Sequence, residues 1–449
     1  MNQRVALMAI ILSLGHSFVL GQQTASISPR VITLREAVEL ALKHNHVVRI
    51  AEFKVDEKRH AKEVARSAYF PLVRNDSALA HVTDTQFIAI PAGGLGIVAG
   101  SLIPPQPFII NQGGQTFLTS GTGLVQPLTQ LLKVKAGNEA VRAELDETRG
   151  KARGVQNDIA LKVHQLYYKI LIAQSRRSAI EAKILASEDL QSERVQQVKY
   201  GNTLEADLIE SRAQALQVKQ ELLSNDLQLS DLRMQFNESV GFPLEKEVAL
   251  DPQVSPPPGS CLREECLKLA LESHPEIAEA QAAVEQAAAG IRLAKREYLP
   301  DVEAFARYSY QNNVPFLARN FGTFGFHLNF DLFDGGKRRA VVREREAQLA
   351  QAKENLARVS EEVELRVRAA YNKLERTQQM VAVSEELLAL RTENRRVATQ
   401  QIEQGASLRS QVQAAVAQQL EAQTMLLQSE LDYAQAHDEL TEATGQSPQ

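Results

Sequence analysis

The chain has 449 residues, a net charge of -5, 23% charged residues, 5% aromatics and no tryptophan. Ala, Gln, Glu, Leu and Arg dominate, a composition of long or coiled helices rather than of two or three compact domains. Both charge signs are mixed along the chain, which argues against a nucleic-acid-binding surface.

Residues 1–21 read as a secretory signal: Arg4 supplies the basic region, Val5 to Leu14 the apolar run, and Val19-Leu20-Gly21 the cleavage region. The run is short for a membrane span and His16 interrupts its continuation; an uncleaved anchor is the alternative. No cysteine sits near the cleavage point to carry a lipid, and no later apolar stretch is long enough to cross a bilayer as a helix. Any membrane crossing is therefore expected to use strands.

The first repeat, 22–242, is predicted to open with a helix from Leu34 to Tyr69, ended by Pro71. Extended segments follow near Leu72 to Val82 and Phe117 to Leu128, around a long loop punctuated by Pro91-Ala92-Gly93-Gly94, Pro104-Pro105 and Gly113-Gly114. A very long helix over about Val134 to Tyr200 and a returning helix over Leu204 to Val240 complete it. Residues 243–261 form a proline-rich linker containing Pro256-Pro257-Pro258. The second repeat, 262–445, has the same plan: a helix from Leu262 to Tyr298, strands over Asp301 to Gln311 and Phe324 to Leu332, a long helix from Lys337 to Gln404, and a return from Leu408 to Thr444. Residues 446–449 are a polar tail.

The duplication rests on aligned residues. Without gaps, Asn45-His46 falls on His274-Pro275, Tyr69 on Tyr298 and Pro71 on Pro300; in a second block Tyr167 falls on Tyr371, Gly201 on Gly405 and Gly241 on Gly445. Apolar residues then repeat every seven positions, the mark of a supercoiled seam. Leu208, Ala215, Leu222, Leu229 and Phe236 keep the period in one returning helix. In the second long helix Val367, Leu374, Val381 and Leu388 form one series and Leu349, Leu356, Val363 and Ala370 another, which predicts partners on two sides. Each long helix reaches roughly 100 Å at 1.5 Å per residue, about the height of two short helices stacked end to end.

The clearest strand places Phe324, Phe326, Leu328, Phe330 and Leu332 on one side and Gly325, His327, Asn329 and Asp331 on the other. That alternation suits lipid outside and water inside, although a soluble sandwich hairpin gives the same period. Four strands cannot close a barrel alone, so a membrane-crossing chain of this kind has to assemble.

Other motifs carry less. Cys261 and Cys266, five positions apart, point to different faces of a common helix and bridge only if the helix starts after Cys261. Gly94 to Gly100 resembles a dinucleotide loop but lacks the strand, helix and acid that give it meaning. His44, His46 and His60 lack a completing ligand set, so no metal is expected. No catalytic constellation or cofactor motif stands out, and no enzyme activity is expected.

With Leu40-Ala41-Leu42 and Asn45, Tyr69-Phe70-Pro71 and its copy Tyr298-Leu299-Pro300, Asp331-Leu332-Phe333-Asp334-Gly335-Gly336, and the turn glycines Gly201 and Gly405, the chain resembles the TolC-like outer-membrane efflux protein family over nearly all its length. The resemblance implies a mainly α fold with a small β part: a homotrimer with a twelve-stranded barrel in outer-membrane lipid and a helical tube descending through the periplasm. It implies an exit duct for an efflux pump or a type I secretion system, partnered by a periplasmic adaptor (membrane fusion) protein and an inner-membrane pump. Tyr200, Gly201, Asn202, Thr203, Gln404, Gly405, Ala406 and Ser407 would lie at the adaptor-facing tip, with Asp207 at a matching acidic position. Where family members often carry acids after the second tip glycine, this chain has Gln411 and Ala414, which speaks against an aspartate ring from that repeat. Gln411 and Glu403 remain candidates for facing the pore. A periplasmic coiled-coil adaptor or a structural scaffold is the alternative; neither accounts for the whole-chain duplication and the phenylalanine stripe together.

Overall fold

A computed structural model describes residues 31–83, 87–111, 116–254, 261–314, 318–405 and 408–448. The expected signal segment, Pro256 to Pro258 of the linker and Gly113-Gly114 lie outside the described residues. In chain order the elements are β1 (Val31–Ile32), α1 (Leu34–His44), α2 (His46–Ser67), β2 (Leu72–His81), β3 (Phe87–Ile90), β4 (Ile97–Val98), β5 (Ser101–Leu102), β6 (Phe108–Asn111), β7 (Thr116–Pro127), α3 (Gln130–Lys199) and α4 (Glu205–Val240). There follow β8 (Ala249–Leu250), α5 (Arg263–Ser273), α6 (Pro275–Arg296), β9 (Asp301–Asn312), β10 (Asn320–Asn329), α7 (Lys337–Glu403) and α8 (Arg409–Ala443).

Each repeat's opening helix is broken in two, where the sequence suggested one. Asn45 ends α1 with extended backbone and starts α2, its Oδ1 accepting from the Val47 N–H at 2.8 Å. His274 does the same between α5 and α6, its Nδ1 accepting from the Glu276 N–H at 3.2 Å. Pro275 reinforces the second break, because proline is at home in a first helical turn while its ring pushes the preceding residue out of the helical region. Each break sits against the end of a returning helix. Gly241 and Gly445 close α4 and α8 with φ of +82°, a left-handed cap that favours glycine.

The 70-residue α3 spans about 105 Å. It packs against α4 and α8 toward one end and against α1, α2 and α6 toward the other, while α7 packs on α8, α6 and α5. On α4 a buried seam runs through Ser211, Ala215, Val218, Asn225, Leu229, Leu232 and Phe236, in alternating steps of three and four around the half-buried Leu222. The seven-residue series seen in sequence is half of that seam; the other half is partly polar and so escapes a hydrophobic count. Asn225 is accommodated by donating to the Ala173 carbonyl at 3.1 Å. On α7 the buried Val359, Val363, Val367, Ala370, Leu374 and Thr377 form one stripe. The two series expected to face two sides are thus the two flanks of a single seam, because residues four apart share a helix face.

The main sheet is antiparallel in the order β10-β9-β7-β2, leaving β10 and β2 as its edges. Thr129 ties its base to the helices: its hydroxyl donates to the Pro300 carbonyl and accepts from the Val302 N–H, both at 2.8 Å. Lys133, in the first turn of α3, bridges Asp301 at 2.7 Å and Glu297 at 3.3 Å. The insertion between β2 and β7 is more ordered than a loop. Its apolar runs pair as β3 with β6 and β4 with β5, the latter across a turn in which Ala99 and Gly100 both have positive φ, as a two-residue hairpin turn requires.

At mid-height, β1 and β8 pair in parallel, and the buried Tyr167 clasps both, its hydroxyl 3.0 Å from the Ile32 carbonyl and 2.8 Å from that of Asp251. His164 and Tyr168 of α3 meet Asp438 of α8 at 2.6 and 2.9 Å, a buried polar link between the repeats. Cys261 and Cys266 are joined by a disulfide. The condition for a bridge is met: α5 begins at Arg263, leaving Cys261 outside the helix and free to turn back.

Candidate functional site: helical tip and strand sheet

The tip consists of the two helix-to-helix turns remote from the sheet. Tyr200 ends α3 and is 72% exposed. Gly201 follows with φ of +73°, and the Asn202 N–H returns to the Gln197 carbonyl at 2.8 Å, closing the helix. Asp207 serves the other side of the turn, accepting from the Thr203 hydroxyl at 2.6 Å and from the Leu204 N–H at 3.2 Å. These hydrogen bonds, with the Thr203 contact the larger, hold its carboxyl below the ordinary range. Asp207 is thus the anchor of α4's first turn.

In the second turn Gln404 caps α7 and Gly405 has φ of +72°. Ala406 and Ser407 lie outside the described residues. Glu403 and Gln411 are both exposed, Glu403 as the last residue of α7 and Gln411 in the first turn of α8. Leu408, which precedes α8, has no polar side chain with which to cap that helix. The helix is capped by Glu193 of α3, whose carboxylate accepts from the Ser410 N–H at 2.9 Å and from the Ser410 hydroxyl. Arg409 adds an ion pair with Asp189 at 3.0 Å. Sequence reasoning missed this tie. Its partners stand more than two hundred residues apart, and Glu193 looks like any surface acid of a charged helix.

At the opposite end, Phe324, Phe326 and Leu328 project from one face of β10, Phe324 being 87% exposed. The register places Ala306, Ala304 and Val302 of β9 directly across from them, so the apolar side continues over two strands. β10 stops at Asn329, short of the Leu332 end expected from alternation. Phe330 and Leu332 therefore lie beyond the strand. Phe330 takes the Arg338 guanidinium over its ring at 4.9 Å, and Leu332 is 93% exposed. Asp334 ends the alternation: its carboxylate accepts from the Gly336 N–H at 2.9 Å and the Arg338 N–H at 3.0 Å, bending the chain into α7.

Among the described residues no helix is long and apolar enough to cross a membrane, and no group of three or more His, Cys, Asp or Glu side chains is placed to hold a metal.

The sequence matches none of the curated proteins. Residues 266–446 match the family described as outer membrane efflux protein. Solved structures share the fold along nearly the whole chain. The outer membrane protein VceC from Vibrio cholerae superposes with a TM-score of 0.72 at 15% identity, covering 92% of this chain and 96% of that one. The Campylobacter jejuni CmeC outer membrane channel gives 0.72 at 13%, covering 92% and 85%. A membrane protein from Pseudomonas aeruginosa gives 0.70 at 17%, covering 92% and 90%. These identities speak for the fold alone; the family match is confined to residues 266–446, and along the whole chain the fold is the one these outer membrane proteins share.

Proposed function

We propose that the protein is the outer-membrane exit duct of a tripartite machine, passing solutes from a periplasmic adaptor and an inner-membrane pump to the exterior without catalysing a reaction. The observation that carries this reading is the four-stranded sheet with two unpaired edges and an exposed Phe324-Phe326-Leu328 face. Open edges are not tolerated in lipid. Closing them with copies of the same chain gives a barrel of even strand number, and a homotrimer gives twelve strands.

The helices support the same assembly. Ile209, Leu216, Leu223, Leu227 and Met234 on α4, and Leu365, Val383, Leu390 and Val397 on α7, are exposed apolar residues. They lie on the outermost helices of the packing order α4-α3-α8-α7, where neighbouring copies would cover them. Energy would come from the pump, and opening would rearrange helices at the tip around Tyr200 to Thr203 and Gln404 to Ser407, the proposed adaptor contact. Phe324, Phe326 and Leu328 would face lipid. Efflux and type I secretion both fit this duct.

Reconstitution of the purified protein in planar bilayers tests the reading. Discrete conductance steps are expected from protein extracted from outer membranes; a membrane-free periplasmic protein without channel activity would favour the adaptor or scaffold reading.

A further inference from the structure

The sheet face opposite the phenylalanines carries an uneven set of charges. In the antiparallel register Thr323 stands across from Arg307, Arg307 across from Gly123, and Gly123 across from Arg74. Two arginines thus lie on one cross-strand row, separated by a residue without a side chain. In the next row Gly121 stands across from Asp76. The Arg74 Nε donates to Asp76 at 2.8 Å, which neutralises one arginine.

Arg307 has no such partner. Its guanidinium lies flat over Gly121, where a Cβ would come within 2.6 Å of Nε and 2.9 Å of Cζ. Among the described residues it forms no ion pair. The nearest acid on the same strand face, Glu303, is four residues closer to the helices and across from His327, about 13 Å along the strand. Gly121 and Gly123 form a bare floor that keeps a planar cation against the wall and open to the water side. The two rows together therefore carry two positive charges and one negative charge per chain.

We propose that Arg307, with the Arg74–Asp76 pair, forms a cationic girdle on the inner wall of the barrel that favours anionic solutes. The inference rests on the trimeric duct proposed above, in which three copies would line one passage. Rings of Arg or Lys select anions by the field they create at close quarters.

The test is the chloride-to-potassium permeability ratio of the full-length channel, read from reversal potentials in a KCl gradient. Arg307→Gln should lower the ratio by about twofold or more, the Coulomb effect of one unit charge about 8 Å away in water. Arg307→Lys should retain most of it, and Asp76→Asn should raise it. The opposite signs keep the test decisive if one variant fails to assemble. Conducting Arg307→Gln and Asp76→Asn channels with unchanged ratios would overturn the girdle and leave the duct standing. If Arg307→Lys loses as much as Arg307→Gln, the guanidinium is filling the glycine floor and the charge role is overturned. A wild-type protein that forms no channel would overturn the duct and the girdle together.

Discussion

Gly445 and His274 approach so closely that no side chain fits between them: a Cβ on Gly445 would lie 2.6 Å from the His274 Cα and 3.0 Å from the Ser273 carbonyl oxygen. The first repeat has the same contact, where a Cβ on Gly241 would lie 2.7 Å from the His44 Cβ. In both repeats the left-handed glycine that ends the returning helix is the floor on which the broken opening helix rests. Gly445→Ala meets both a clash and an unfavourable φ, and is expected to destabilise the protein by about 1–3 kcal/mol or more. Gly154→Ala, in the middle of α3 with open space around it, is expected to be neutral or stabilising by up to about 1 kcal/mol. Denaturant melts of the detergent-solubilised protein would measure both.

The matched break residues differ in one respect. Asn45 caps α2 and also donates its Nδ2 to the Ser239 carbonyl at 3.1 Å. His274 caps α6 through Nδ1, while its buried Nε2 has no hydrogen-bond partner among the described residues. Burial first, and Arg366 second, hold the imidazole below its ordinary pKa of 6.5. The unfolded chain therefore takes up the proton near pH 6.5 and the folded one only at lower pH. The histidine's contribution to stability is full above that value and declines as pH falls through it. His274→Asn, which keeps the cap, should remove this part of the acid sensitivity. Melting midpoints at pH 5 and pH 8 would report it as a smaller difference than in the wild type.

The disulfide between Cys261 and Cys266 fastens the end of the linker to α5 across a short loop. Chain-entropy arguments give such a loop about 2 kcal/mol. The Cys261→Ser, Cys266→Ser double variant should fold with a melting point lowered accordingly. Maleimide should label the wild-type protein only after reduction and unfolding.

Glu193 is proposed to latch the tip, because its carboxylate ties α3 to the first turn of α8 through Ser410. Glu193→Gln keeps the shape but weakens the hydrogen bonds to Ser410, since a charged acceptor binds more strongly than an amide. More frequent or larger conductance steps are expected at low ionic strength, with the gap to wild type narrowing in high salt. Unchanged conductance at every salt concentration would exclude Glu193 as a latch.

Much of this architecture was legible in sequence for local reasons. Gly201, Gly405, Gly241 and Gly445 recur in order, and all four adopt positive φ, so their conservation between repeats reflects a backbone need. Phe324, Phe326 and Leu328 alternate because a strand has period two. The breaks at Asn45 and His274 left signals that a closer look could have used: a capping Asn in one repeat and Pro275 in the other. The same holds for the start of α5, where Glu264 and Glu265 mark a first turn after Cys261. Non-local links were not legible. Tyr167 could be matched to Tyr371, but its clasp on β1 and β8 depends on strands of two residues each. The Glu193 cap and the single seam of α7 required knowing which helix lies beside which.

A chain that completes its sheet with copies of itself in the outer membrane must leave that membrane as an oligomer. The most direct test is the mass of the protein extracted in detergent from the outer membrane of a Gram-negative host, measured by light scattering with the detergent subtracted. A particle of three chains that is lost without detergent is expected; a monomer or dimer released in soluble form from the periplasm would rule the self-completed sheet out.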